Sequence, residues 1–99
     1  MLTLTRDLEQ ARSTFQVLRL AREYLAALSA SDVARIPEKC RPARILDESD
    51  LARYSRRLTE EYWELRGTPA DVGVLQELWS FFLRATIQID RLQGQGPAN

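Results

Sequence analysis

The chain has 99 residues and no net charge, because 14 lysines and arginines balance 14 aspartates and glutamates. Its 44% hydrophobic and 28% charged content is typical of a folded globular domain and excludes a chain that is disordered throughout. The balanced charge excludes the strongly basic footprint of many nucleic-acid-binding domains, and the absence of histidine excludes histidine-based triads, bases and metal sites.

The remaining composition favours one small domain without a cofactor. A single cysteine, Cys40, excludes an intrachain disulfide and a thiolate zinc site. The sequence contains no glycine-rich phosphate loop, no apolar run near the roughly 20 residues of a membrane span, and no apolar run typical of a signal peptide. We therefore expect a single cytoplasmic domain over residues 1–99, without metal, cofactor or catalytic residues.

The first predicted helix covers residues 4–29, with Thr3 or Thr5 as its cap. Apolar residues recur at alternating spacings of four and three, which is a heptad pattern that predicts supercoiled helix packing. These residues are Leu4, Leu8, Ala11, Phe15, Leu18 and Leu25. Arg22 falls where the pattern expects an apolar residue, and either extends to the bundle edge or lines an internal anion site.

Residues 29–46 form an irregular loop, because Pro37 and Pro42 each disfavour helix at the preceding residue. Ile36, Ile45 and Leu46 are expected to hold this loop against the bundle. Within it, residues 35–44 carry four cations and one anion. The cations are Arg35, Lys39, Arg41 and Arg44, which either dock an anion or an acidic partner or simply face solvent.

Cys40 lies between two of these cations in the sequence. Neighbouring positive charge lowers a thiol pKa and favours the reactive thiolate, so we expect a lowered pKa for Cys40. The alternative is a thiol without any special role.

The second predicted helix covers residues 47–66, with Asp47 or Ser49 as its cap and Gly67 just beyond its C-terminus. Its apolar residues form a narrow stripe, which consists of Leu51, Tyr54, Leu58, Tyr62 and Leu65. Trp63 lies off this stripe. The opposite face carries arginines followed by glutamates at i,i+4, a pairing typical of an exposed helix.

The third predicted helix covers residues 68–92, with Thr68 as its cap and Pro69 at its first position. Residues 93–99 are expected to be a flexible tail. This helix is apolar around roughly two-thirds of its circumference, whereas a helix that packs on one neighbour needs a stripe of only about 100°.

Together these elements predict an all-α bundle of three long helices. Since the second helix offers only a narrow stripe, the third should keep uncovered apolar edges, which usually mark an interface. We predict that a second copy of the chain or another protein covers Val74, Phe81, Leu83 and Ile87.

Three functional hypotheses fit these observations. The preferred one is a non-catalytic interaction protein (an adaptor, a chaperone-like protein or an inhibitor) that acts through apolar helix surfaces. The second is a nucleic-acid-binding regulator that uses residues 35–44 and the arginines Arg53, Arg56 and Arg57. The third is a small helical enzyme that binds an anionic substrate near Arg22.

Overall fold

The computed structural model describes the backbone of residues 3–94 and the side chains of residues 5–94. The side chains of Thr3 and Leu4, predicted as a cap and a core residue, lie outside this part. Within residues 3–94, five α-helices and one 3-10 turn account for the regular structure, which confirms the predicted all-α class. They are α1 (Thr3–Gln10), α2 (Thr14–Ala26), α3 (Ala30–Ala34), the turn Glu38–Cys40, α4 (Glu48–Leu65) and α5 (Gly73–Gly94).

The predicted first helix is interrupted, so that α1 and α2 are separate elements. Ser13 caps α2, with its Oγ accepting a hydrogen bond from the Gln16 backbone N–H at 3.2 Å. The Gln16 side chain in turn accepts from the backbone N–H of Arg12 at 2.6 Å. Ser-x-x-Gln is the sequence signature of a capping box, and here it starts a new helix inside the heptad pattern.

The interruption leaves a backbone carbonyl that α5 satisfies. In a continuous helix the carbonyl of Ala11 would accept from the N–H of Phe15. Instead, the Nε2 of Gln88 donates to it at 2.9 Å, and Gln88 is one of the few buried polar residues. The amide of Gln88 therefore fixes the α1–α2 junction against α5.

The break also changes which residues of this segment reach the core. Phe15, predicted inside, is 66% exposed in the first turn of α2. Leu8 and Leu18 are buried as predicted, together with Val17 and Ala21. Ala11 and Leu18 thus keep their predicted burial on either side of the break, whereas Phe15 between them lies outside the core.

The loop between α2 and α4 is more ordered than predicted. Ser29 caps α3 through a hydrogen bond from the Asp32 N–H at 3.0 Å. Ile36 and Ile45 are buried, as predicted for residues that hold the loop against the bundle. Leu46 is 63% exposed, so the prediction that it also holds the loop is wrong. Arg22 donates from Nη1 to the Ile45 carbonyl at 3.0 Å, which ties this loop to α2.

Helix α4 has the predicted ends. Its cap is Asp47, whose Oδ1 accepts from the Asp50 N–H at 2.9 Å. Gly67 has a φ of 85°, the left-handed conformation that glycine adopts readily just after a helix. The terminating glycine was predicted from the sequence, and of the two predicted caps, Asp47 and Ser49, the structure selects Asp47.

Helix α5 begins later than predicted. Thr68 does not cap it, because the first helical residue is Gly73; the Thr68 hydroxyl donates to the Leu65 carbonyl at 2.6 Å and accepts from the Ala70 N–H at 3.2 Å. Asp71 instead accepts from the N–H of Gly73, the first residue of α5, at 3.0 Å. At the other end the helix continues through Gly94, so two residues of the predicted tail are helical and the rest lie outside the described part.

The core forms where α2, α4 and α5 meet. α4 and α5 run antiparallel, because Thr59 contacts Trp79 while Glu48, at the start of α4, contacts Gln93 near the end of α5. Phe82 is fully buried and meets the ring of Tyr54 edge-on at 5.0 Å. Within residues 3–94, no helix has the combined length and apolarity that crossing a bilayer requires.

We predict that Gln88→Leu lowers the free energy of unfolding by about 1–3 kcal/mol, because the Ala11 carbonyl then stays buried without its donor. Urea denaturation followed by circular dichroism measures the loss. Gln93→Leu is the matched control, since the Gln93 amide is exposed. Equal stability of the two variants would contradict the role of Gln88.

Candidate functional site

The predicted interface residues separate into covered and uncovered positions. Leu83 and Ile87 are 36% and 49% exposed on α5, one helical turn apart. Val74 is half-buried against the core. Phe81 is only 3% exposed, because Tyr24 of α2 stacks on its ring with the centroids 4.2 Å apart. The structure thus corrects the placement of Phe81 on an open edge and leaves the Leu83–Ile87 edge uncovered.

Trp79 extends this edge toward α4 and is held firmly. Its Nε1 donates to the Thr59 hydroxyl at 2.9 Å, and its ring stacks on Tyr62 with the centroids 4.5 Å apart. Trp79 is half-buried. Because its polar edge is satisfied inside the protein, the indole presents a fixed apolar surface beside Leu83.

Trp63 adds a large side chain on the same side of α4. It follows Thr59 by four residues, a spacing that places both on one helix face. Its ring is 55% exposed and lies under the guanidinium of Arg66, 4.4 Å from the ring centroid. We refer to Trp63, Trp79, Leu83 and Ile87 together as the α4–α5 outer face.

The sequence patterns did not assign Trp63 or Trp79 to this surface. Trp63 was visible as an apolar residue off the buried stripe of its helix, and the spacing of Trp79, Leu83 and Ile87 at four residues places them along one ridge. What the sequence lacked was the contact between Thr59 and Trp79 that joins the two helices at this level.

Two of the four cationic residues predicted to dock an anion or an acidic partner make hydrogen bonds within the protein. Arg35 donates from Nε and Nη2 to the Asp71 carboxylate at 3.0 and 2.8 Å, which closes the α3 end of the loop onto the start of α5. Arg41 donates from Nε to the Ile36 carbonyl at 3.4 Å. Arg44 is exposed.

Lys39 lies in a separate cleft of about 400 Å³. Arg57 lines the same cleft and donates from Nη1 to the Lys39 carbonyl at 3.5 Å. The remaining lining residues are three glutamates, Glu60, Glu61 and Glu64. Carboxylates outnumber cations here, so this cleft repels phosphate more than it attracts it.

Cys40 is fully buried rather than presented as a thiolate. The Tyr54 hydroxyl donates to its carbonyl at 2.6 Å, and its Sγ donates to the Arg57 carbonyl at 3.7 Å. Burial, reinforced by Glu61, raises the pKa of the thiol to about 11 and outweighs the opposite effect of the nearby cations. The predicted lowering of this pKa is therefore wrong.

A larger groove separates α1 from α2, α3 and α5, with a volume of about 1050 Å³. The sequence did not predict it, because it exists only where α1 turns back after the break. We call it the α1–α5 groove, and its principal lining residues are Arg6, Tyr24, Asp32, Glu77, Phe81 and Arg84. Arg22 lines neither this groove nor the smaller cleft.

Comparison of the chain with protein-family models, curated proteins and solved structures finds no match. Among the described side chains, no group of three or more histidine, cysteine, aspartate and glutamate residues is placed to share a metal ion. Of the large hydrophobic side chains that are exposed in residues 5–94, Trp63, Leu83 and Ile87 belong to the α4–α5 outer face, whereas Phe15 and Leu46 lie elsewhere.

We predict that Cys40 reacts slowly with Ellman's reagent at pH 8 in the native protein and rapidly in denaturant, because unfolding removes the burial that disfavours the thiolate. The absorbance of the released thiolate follows both reactions. Equal native and denatured rates would show that the thiol is accessible and reactive after all.

The contact between Arg35 and Asp71 predicts an acid-dependent contribution to stability. The Gly73 N–H, and secondarily Arg35, lower the pKa of the Asp71 carboxyl below its ordinary value of 3.8. The stabilisation is thus complete above that value and is lost as the pH falls through the folded-state pKa. We expect Asp71→Asn to be less stable than wild type at pH 7, with the difference shrinking in acid.

Urea denaturation at neutral and acidic pH measures this difference. Asp90→Asn, on the exposed side of α5, is the matched control and should show a smaller loss at pH 7. A difference for Asp71→Asn that stays constant with pH would argue against the ion pair.

Proposed function

We propose that this protein is a non-catalytic, cytoplasmic protein–protein interaction module that binds its partner through the α4–α5 outer face. The observation that carries the proposal is the exposure of Leu83 and Ile87, one turn apart, on a helix whose other apolar residues are largely covered by the chain itself. Such a module acts as an adaptor, a chaperone-like protein or an inhibitor.

The composition of this face supports the proposal. Contiguous exposed apolar surface usually marks an interaction site, and tryptophan is enriched among the residues that dominate binding energy. Trp79 is held by its hydrogen bond to Thr59 and its stack on Tyr62, so little side-chain freedom remains to be lost on binding. Arg66 above Trp63 supplies a polar rim.

A second copy of the chain is the first partner to consider. In a two-fold dimer the same patch contacts itself, and a helix edge with Leu83 and Ile87 at i,i+4 is self-complementary for packing side chains of one helix between those of the other. The dimer would cover the two exposed aliphatic side chains and extend the apolar core of α5 across the interface.

The rival hypotheses receive less support from the geometry. Arg22 is engaged with the Ile45 carbonyl. Arg35 is paired with Asp71, and Arg57 lies beside three glutamates. Each of these arginines thus has its own contact within the protein, whereas phosphate binding is favoured by a continuous basic surface.

We predict that the wild-type protein scatters light at micromolar concentration as a species twice its 11.4 kDa chain mass, and that Leu83→Asp/Ile87→Asp is monomeric. Buried aspartates across the interface would be desolvated without partners, which opposes association. Size-exclusion chromatography with light scattering gives the masses, and circular dichroism checks that the variant keeps its helices.

Phe15→Asp/Leu46→Asp is the matched control, because it places the same two charges at exposed apolar positions outside the proposed interface. It should remain dimeric. A monomeric wild type that binds no hydrophobic dye would contradict the proposal, as would equal dissociation of both double variants.

A further inference from the structure

The α1–α5 groove lies on another face of α5 from the proposed interface. Glu77, Phe81 and Arg84 line the groove at spacings of four and three residues, which place them on one helix face. Trp79 lies on a different face, and its indole reaches Thr59 of α4. Ile87 lies one turn beyond Arg84, past the end of the groove. The groove shares no lining residue with the α4–α5 outer face, and a ligand bound there would not depend on the proposed function of that face.

Tyr24 forms the aromatic floor of the groove and covers Phe81, which is only 3% exposed. Tyr24 and Phe81 stack with an interplanar angle of 21°, and Phe82 meets the ring of Tyr24 edge-on at 6.4 Å from below. Leu28 adds an aliphatic side chain to the lining. An apolar floor beneath polar walls is the usual composition of a binding groove.

The walls differ in charge from one end to the other. Next to α1, Arg84 forms a salt bridge with Glu9 at 3.3 Å, so the two opposite charges offset each other. At the α3 end, Asp32 and Glu77 line the groove and both act on the Tyr24 hydroxyl, whose pKa is raised by burial and further by these two carboxylates. Among the described residues, no arginine or lysine lies within salt-bridge distance of either carboxylate.

We propose that the α1–α5 groove binds an extended or helical segment of a partner protein, which places one arginine or lysine between Asp32 and Glu77 and its apolar neighbours on Tyr24 and Leu28. The two carboxylates supply the complementary charge, and the aromatic floor supplies the apolar contact.

The dimensions favour a peptide over a small cation. The groove spans four helices, from Arg6 on α1 to Asp32 on α3, and its volume of about 1050 Å³ reaches the upper end of the range for small-molecule pockets. A single ammonium or guanidinium group would occupy only the acidic end. A segment of several residues would also cover the aromatic floor.

The experiment uses fluorescence anisotropy with a fluorescein-labelled probe peptide, Gly-Leu-Leu-Arg-Leu-Leu-Gly. Two further probes replace its arginine by neutral citrulline or by glutamate. We expect the arginine probe to bind at least about tenfold more tightly than either, with an affinity that weakens as salt is added.

The variant Asp32→Asn/Glu77→Gln should weaken binding of the arginine probe by about tenfold and leave binding of the citrulline probe unchanged. Glu60→Gln/Glu64→Gln, which removes two carboxylates from the smaller cleft, is the matched control and should bind as wild type does. Leu83→Asp/Ile87→Asp should also bind normally, which separates this proposal from the interface on the α4–α5 outer face.

Three results would overturn the proposal. The first is no preference for arginine over citrulline at any accessible protein concentration. The second is an equal loss of binding in the two carboxylate variants. The third is displacement of the arginine probe by the small cation agmatine at the same concentration as by unlabelled peptide, which would indicate a site for a small amine and not for a peptide.

Discussion

The hydrogen bond from Gln88 to the Ala11 carbonyl is the contact on which the arrangement of the N-terminal part depends. It satisfies the backbone group that the break between α1 and α2 leaves inside the protein. Because the chain turns there, α1 packs on both α2 and α5 and does not extend away from the bundle. The same turn creates the α1–α5 groove, with Glu9 on one wall and Arg84 opposite it.

Helix α5 packs against α1, α2 and α4, and different faces of the helix make these contacts. One face is core, where Phe82 meets Tyr54 of α4 and Tyr24 of α2. A second face, with Trp79 and Leu83, joins α4 at its inner side and is exposed at its outer side. Most of the apolar circumference of this helix is therefore packed inside the protein. Of the four residues that the sequence predicted at an interface, only Leu83 and Ile87 are exposed.

Charged residues mainly organise the chain's own segments. Arg35 joins the end of α3 to the start of α5 through Asp71, and Arg22 holds the loop before α4 against α2. Such exposed or partly exposed contacts contribute little stability individually, but they fix the positions of irregular segments. Burial similarly overrides charge at Cys40, where desolvation of the thiolate outweighs the attraction of the neighbouring cations.

The sequence determined the helical class, the terminating glycine at Gly67 and the buried stripe of α4, and it narrowed the cap of α4 to Asp47 or Ser49, since each depends on residues close together in the chain. Only the tertiary structure decided that Phe81 is covered while Ile87 is not, and that the capping box after Ser13 ends one helix and starts another. These outcomes depend on neighbours distant in sequence, as Gln88 is from Ala11. Helical periodicity shows which side chains are apolar, but three-dimensional packing decides which of them another helix covers.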